Sequence, residues 1–260
     1  MKHLIRAACI AAIAAPAFCA DMVITKSKHT DAVKMMGQET AARDSTEVTW
    51  VGKQKLRHEE GDRVTIVRTD LKKMYLLDTS AKTYTTLDLP FDLMKQVPAE
   101  MAPMMESMFA GMKVTVTPTT ETKKVKDWNA TKYTVEMTMP MGAVKKEVWA
   151  TKDVAFDKAN HHELMSAMLS LLPGGAAMAA EWGKIDGFPV LVEGTQSMMG
   201  NEVKSTESVT SVETKDAAEG FYDLPKDFTE KPFDFMAEMQ RRSPGGKSGA
   251  APKKLPPSGH

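Results

Sequence analysis

From Asp21 to Pro90 apolar and polar residues alternate along the chain. In STEVTWVG, Thr46, Val48 and Trp50 fall on one face and Glu47, Thr49 and Val51 on the other. The run QKLRHEEGDRVTIVRTD predicts two strands joined at Glu60-Gly61-Asp62, with Val64, Ile66 and Arg68 alternating against Thr65, Val67 and Thr69. KKMYLLDTSAKTYTTLDL repeats strand, turn and strand about Asp78 to Ala81. Successive strand side chains point to opposite faces, so short β-rich runs separated by turn residues predict antiparallel hairpins. Further β blocks run from Lys113 to Lys152 and from Phe188 to Thr214.

Two interruptions carry the helical period. Between Phe91 and Gly111, Met94, Val97, Met101, Met104, Met105, Met108 and Met112 fall within one stripe, with Glu106 on the far side. Pro98 and Pro103 break this into two short segments, the second with Pro103 in its first turn. A second helical region starts at Asn160, where Asn160 and Glu163 form a candidate capping box. It carries Leu164, Met165, Met168, Leu169 and Leu172 and stops at Pro173-Gly174-Gly175, with a further turn in AAMAAEW. Strands, helix, strands, helix, strands is not the regular β-α alternation of a parallel sheet. The expectation is a mainly β (α+β) fold: one curved antiparallel sheet with helices on its inner face.

The ends are of different character. MKHLIRAACIAAIAAPAFCA has Lys2 and Arg6, an apolar run from Ala7 to Ala15, and small residues at Ala15, Ala17 and Ala20. This is the pattern of a secretory signal peptide, with cleavage expected after Ala20 or after Ala17. The run is shorter than the roughly 18 residues a membrane span needs. Phe18 before Cys19 does not suit a lipidation site. Cys9 and Cys19 are the only cysteines, so cleavage leaves a mature chain with no disulfide and no thiol chemistry. At the other end, residues 240–260 read as a disordered basic tail, rich in Pro, Gly and Ser, with Arg241, Arg242, Lys247, Lys253 and Lys254 and no acid. Setting aside those five and Lys2 and Arg6 leaves 27 basic residues against 34 acidic in the body. A basic tail on an acidic body suits contact with anionic lipid or a cell-wall polymer, and the balance gives no support to nucleic-acid binding. Residues 21–239 are expected to form a single domain.

The segment VTWVGKQKLRHEEGDRVTIVRTDLKKMYLLDTSAKTYTTLDL holds a basic, Arg-ending stretch, GKQKLR. An Asp-x-x-Lys-Lys-x-Tyr phrase follows at Asp70, Lys72, Lys73 and Tyr75, and Lys-x-Tyr at Lys82 and Tyr84. With DWNATKYTVEM, EVWATKD, GFPVLVEG and VTSVETKDAAEGFYDLPKDF, this resembles a family of periplasmic proteins of uncharacterised function within the LolA/LolB-like (lipoprotein-localisation factor) superfamily. The likeness covers most of Val48 to Phe228. It implies a half-barrel of antiparallel strands with helices over its mouth, and an apolar concavity that in characterised relatives holds acyl chains. Arg57 occupies a recurrent basic position, which a solvated strand-end arginine also explains.

Three readings of the methionines remain open. Thioether side chains are unbranched and polarisable and repack around irregular apolar partners. A lid of Met101, Met104, Met105, Met108 and Met112 facing Met165, Met168 and Leu169 would suit a flexible hydrocarbon ligand. The same residues would serve as ordinary core packing. Thioethers also select Cu(I), but methionines spread over Met35-Met36, Met139, Met141 and Met198-Met199 do not concentrate at one site. His161 and His162 are adjacent, so about 100° separates them on a helix and they do not converge on one ion. No Gly-x-Ser-x-Gly elbow, His-Glu-x-x-His pair or phosphate-binding glycine loop occurs. The sequence thus points to a non-catalytic, exported, periplasmic protein without a cofactor, binding a lipid or acyl chain. The alternatives are an envelope protein-protein interaction module with a self-filled core, and Met-based Cu(I) binding.

Overall fold

The computed structural model describes residues 20–35, 38–109, 111–139, 142–198 and 201–242. The predicted signal peptide, Ala20 apart, and residues 243–260 of the predicted tail lie outside the described residues.

The chain opens with β1 (Asp21–Thr30), a small hairpin of β2 (Val33–Met35) and β3 (Gln38–Thr40), and β4 (Arg43–Gly52). The predicted hairpins follow as β5 (Lys55–Glu60), β6 (Arg63–Arg68), β7 (Lys73–Asp78) and β8 (Thr83–Asp88). Gly61, at φ 59°, makes the β5–β6 turn where the sequence placed it. After a 3-10 turn at Leu93–Gln96 comes α1 (Ala102–Phe109), with Pro103 in its first turn as expected. The second block forms β9 (Lys113–Val125), β10 (Trp128–Met139) and β11 (Gly142–Thr151). Then come α2 (Lys158–Leu169), α3 (Gly175–Trp182), β12 (Phe188–Met198), β13 (Asn201–Lys215), β14 (Thr229–Glu230) and α4 (Phe235–Arg242).

Three features differ from the sequence reading. One is the end of α2, which falls at Leu169 rather than at Pro173-Gly174-Gly175, where Gly174 instead precedes the start of α3. Helix α2 begins two residues before Asn160, capped by Asp157, whose carboxylate accepts the Asn160 N–H at 3.0 Å. Asn160 does not cap the helix but fastens it to the β4–β5 turn. Its Nδ2 donates to the Gly52 carbonyl at 2.9 Å and its Oδ1 accepts the Gln54 N–H at 2.8 Å. Helix α4 was not anticipated, and it runs to Arg242, into the segment expected to be disordered. No helix among the described residues is long and apolar enough to cross a membrane.

The molecule is mainly β. Twelve strands form one sheet in the order β14-β8-β7-β6-β5-β4-β1-β13-β12-β11-β10-β9, antiparallel throughout except for the parallel β14–β8 pair. The sheet is open. Helices cover one face. There Ile24, Val51, Leu56, Val67, Met74 and Leu87 pack beneath Leu164 of α2. Further along, Val114, Val116, Val135 and Val148 pack beneath Met178 of α3. On the opposite face the segment that follows β13 crosses β4 to β8, with Tyr222 buried against Val64, Ile66 and Leu77.

Candidate functional site

Strands β8 and β9 are consecutive among the sheet's long strands, yet β9 is one edge and β8 lies next to the other, with only the two-residue β14 outside it. The connection between them, residues 89–112, must therefore pass from one side of the open sheet to the other. It is the segment that carries the methionine stripe. Asp92 starts its 3-10 turn by accepting the Met94 N–H at 3.0 Å. Leu93, Val97 and Met105 of this strap are buried with Phe235 of α4, and Met94, Met101 and Phe109 pack around them. Met104 points outward, 53% exposed. The Met108 side chain lies outside the described residues. Met112 reaches the turn between α2 and α3, its methyl carbon resting on Gly174, 1.5 Å from where a Cβ would stand. Gly174 has φ +69°, so both the backbone and the contact require glycine.

The predicted site residues are thus divided. Met101 and Met105 lie together in the strap's own cluster. Met165 and Met168 pack against the core beneath α2, and Leu169 against the core beneath α3. Phe91 and Phe233, edge to face at 5.5 Å, pack against both the strap cluster and the core beneath α2 and link the two. The helix-covered face is filled at these places by the protein's own side chains. Two open depressions stand elsewhere. One, of about 610 Å³, lies on the opposite face over β10–β13 and is lined by Glu136, Lys145, Glu147, Thr195 and Lys204. The other, of about 390 Å³, is lined by Thr151, Phe156, Lys158 and Asp186. No methionine lines either.

Along the helix-covered face the register makes a gradient. One row, Val51, Leu56, Val67, Met74 and Leu87, is apolar throughout. The next mixes Ile24 with Thr49, His58 and Thr65. The third is charged: Lys26 faces Glu47, Glu47 faces Glu60, and Glu60 faces Arg63. Beside it Lys28 lies opposite Glu207 and reaches the Glu47 carboxylate at 3.5 Å. His58 Nδ1 meets Thr49 Oγ1 at 2.9 Å, and burial lowers its pKa. The carboxylates of Glu47, Glu207 and Glu60 raise the Lys28 pKa against the opposing effect of burial. Period-two alternation alone did not show which face of β4 would carry the helices, so this charged row was missed.

The histidine pair also resolves. His161 is packed edge-on against Phe156 at 5.3 Å and Phe188 at 6.0 Å. Burial, with lesser contributions from Lys26 and His162, lowers its pKa to about 4. Among the described residues no group of three or more His, Cys, Asp or Glu side chains is placed to hold a metal ion.

Arg57 is not the solvated strand end that one reading allowed. Its guanidinium lies 4.8 Å from the Phe221 ring centroid, donates to the Phe221 carbonyl at 3.2 Å and pairs with Glu59 at 2.6 Å. Trp50 packs against the same ring at 4.8 Å, tilted by 54°. Tyr222 OH donates to Asp21 at 2.6 Å; burial and that carboxylate raise the phenol pKa. These residues clamp the segment after β13 to the outer face. The aromatic cluster Phe221-Tyr222 and Phe228 was the signal available for it in the sequence.

No family model matches the chain, and no curated protein matches its sequence. Among solved structures it is similar to PNGF-II in a C2 crystal, at 13% identity and a TM-score of 0.40, over 85% of this chain and 32% of that one. A second similar structure is a Vibrio parahaemolyticus domain described by its name as an outer membrane lipoprotein-sorting protein domain. It shows 8% identity and a TM-score of 0.30, over 78% of this chain and 89% of that one. At these scores neither neighbour assigns a function to this chain.

Proposed function

We propose that this is an exported, non-catalytic envelope protein with a LolA-like half-barrel, which takes up a lipid or acyl chain beneath the methionine-rich strap. The observation that carries the reading is the strap itself. It runs from β8, next to one edge of an open sheet, to β9 at the other edge, it is held by soft side chains rather than strand pairing, and it leaves Met104 exposed. Lifting it would re-expose Leu93, Val97, Met105 and Phe235. At about 1.5–3 kcal/mol for each such side chain, this costs on the order of 6–12 kcal/mol. A hydrocarbon chain returns about 0.8 kcal/mol per buried CH₂, so roughly 8–15 carbons offset the opening. The ligand is accordingly a long chain, and short-chain acids should not bind.

A second reading, an interaction module with a self-filled core, draws support from the filling of the helix-covered face by Leu164, Val67 and Met74, all fully buried. Native mass spectrometry of the mature protein purified gently from the periplasm, followed by organic extraction, separates the readings. A bound mass in the lipid range supports the carrier. A clean apo mass, persisting after incubation with palmitate, favours the module, and a copper-sized increment removed by chelation would bring back the metal reading. Met104→Asp sharpens the test: an exposed site leaves the melting temperature within a degree or two, whereas ligand retention should fall. Equal loss of both would sink the lid role.

A further inference from the structure

The charged row on the helix-covered face has no structural account of its own. Lys26, Lys28, Glu60, Arg63 and Glu207 are all half-buried and lie on the side of the sheet that carries α2. Cross-strand registration sets Lys26 opposite Glu47, yet the Glu47 carboxylate, 7% exposed, is held by Lys28 instead. Glu47 and Glu60 stand directly opposite each other, a like-charge pair that destabilises a sheet. Among the described residues Lys26, Glu60 and Glu207 form no ion pair within 4 Å, although cations and anions alternate in neighbouring positions. Taking charges partly out of water without pairing them costs free energy. A row built only for stability would pair them or replace them with apolar residues. Lys26 shares its sheet face with Ile24, which packs beneath Leu164 of α2.

We infer that this row is a headgroup site for a zwitterionic amphiphile: an anionic phosphoryl group would sit at Lys26, with an ammonium between Glu60 and the neighbouring carboxylates. The inference rests on the acyl-chain reading above and specifies it. The apolar row of Val51, Leu56 and Val67 lies two rows further along the strands, past Thr49 and His58. At the usual strand rise that is about 13 Å from Glu47 and Glu60, a span that the glycerol and first methylenes of a single-chain lipid cover before the chain enters the core. A neutral head would meet the same groups without satisfying either sign of charge.

The test uses the mature full-length protein and two probes with the same 16-carbon chain, palmitoyl lysophosphatidylethanolamine and monopalmitoylglycerol, below their micelle concentrations. The wild type should bind the zwitterion at least tenfold more tightly. In Lys26→Gln and in Glu60→Gln, each checked for an unchanged melting temperature, that gap should close to threefold or less. Equal binding of both probes by the wild type, or a gap that persists in both variants, overturns the headgroup site and leaves the apolar reading intact. Failure of the wild type to bind either probe overturns both. Binding of palmitate more tightly than the zwitterion would also overturn it, since a single anionic group would then suffice.

Discussion

The two halves of the sheet share a helix-covered face but treat the other face differently. Over β4 to β8 the outer face carries Trp50, Val64, Ile66, Tyr75 and Leu77, and the segment after β13 buries them. Over β9 to β13 the outer face stays open and is laid out in ion pairs: Lys132 with Glu121 and Glu147, Lys123 with Glu193, and Lys145 with Glu136. Trp149 on this face is roofed by Lys123 at 4.0 Å and hydrogen-bonded to Glu193 at 3.2 Å. Strands buried on both faces lose the clean apolar-polar alternation of half-exposed ones. The same strand grammar thus yields a two-sided core or a solvated wall according to whether the chain later returns to cover it.

That contrast can be broken by paired substitutions. Ile66→Ala, at a fully buried outer-face position of the first half, should cost about 3 kcal/mol, and Thr195→Ala on the second half less than about 0.5 kcal/mol, in urea unfolding. Similar costs would mean that the wall is as much a core as the clamp. A smaller effect concerns the face the halves share. His161 has its pKa lowered to about 4 from the ordinary 6.5, so it is neutral when folded and takes up a proton more readily when unfolded. Its contribution is intact above pH 6.5 and is lost as pH falls toward 4, by on the order of 2 kcal/mol. His161→Phe should flatten the stability profile in that window, and an unchanged slope would refute the burial assigned to it. Smallest is the roof over Trp149: Lys123→Ala should cost about 0.5 kcal/mol and fade in high salt.

Much of this architecture was legible beforehand. The hairpins from β5 to β8 and the break at Pro98 were set by local turn and helix chemistry, which a sequence displays directly, whereas α2 stops at Leu169, short of the expected Pro173-Gly174-Gly175. What depended on long-range return was not visible. The inner and outer faces of β4 look equivalent in STEVTWVG, since Glu47 and Thr49 alternate with Val48 and Trp50. Only the docking of Phe221 against Trp50 and of α2 over Val51 tells them apart. The methionine stripe was readable as a stripe. Its partners were not, because Phe235 and Phe233 come from a helix and approach that no periodicity announced.

The place of β1 bears on how the molecule comes into being. The first strand sits in the middle of the sheet, between β4 and β13, and Asp21 is registered with Lys215. A nascent chain can zip β1 onto β4 early, but the other flank of β1 stays bare until the last long strand emerges. Within the sheet the two halves meet at that late seam, whose contacts span most of the chain and so form slowly. Until it closes, residues 21–30 present an unpaired edge, the kind of surface through which incompletely folded chains aggregate.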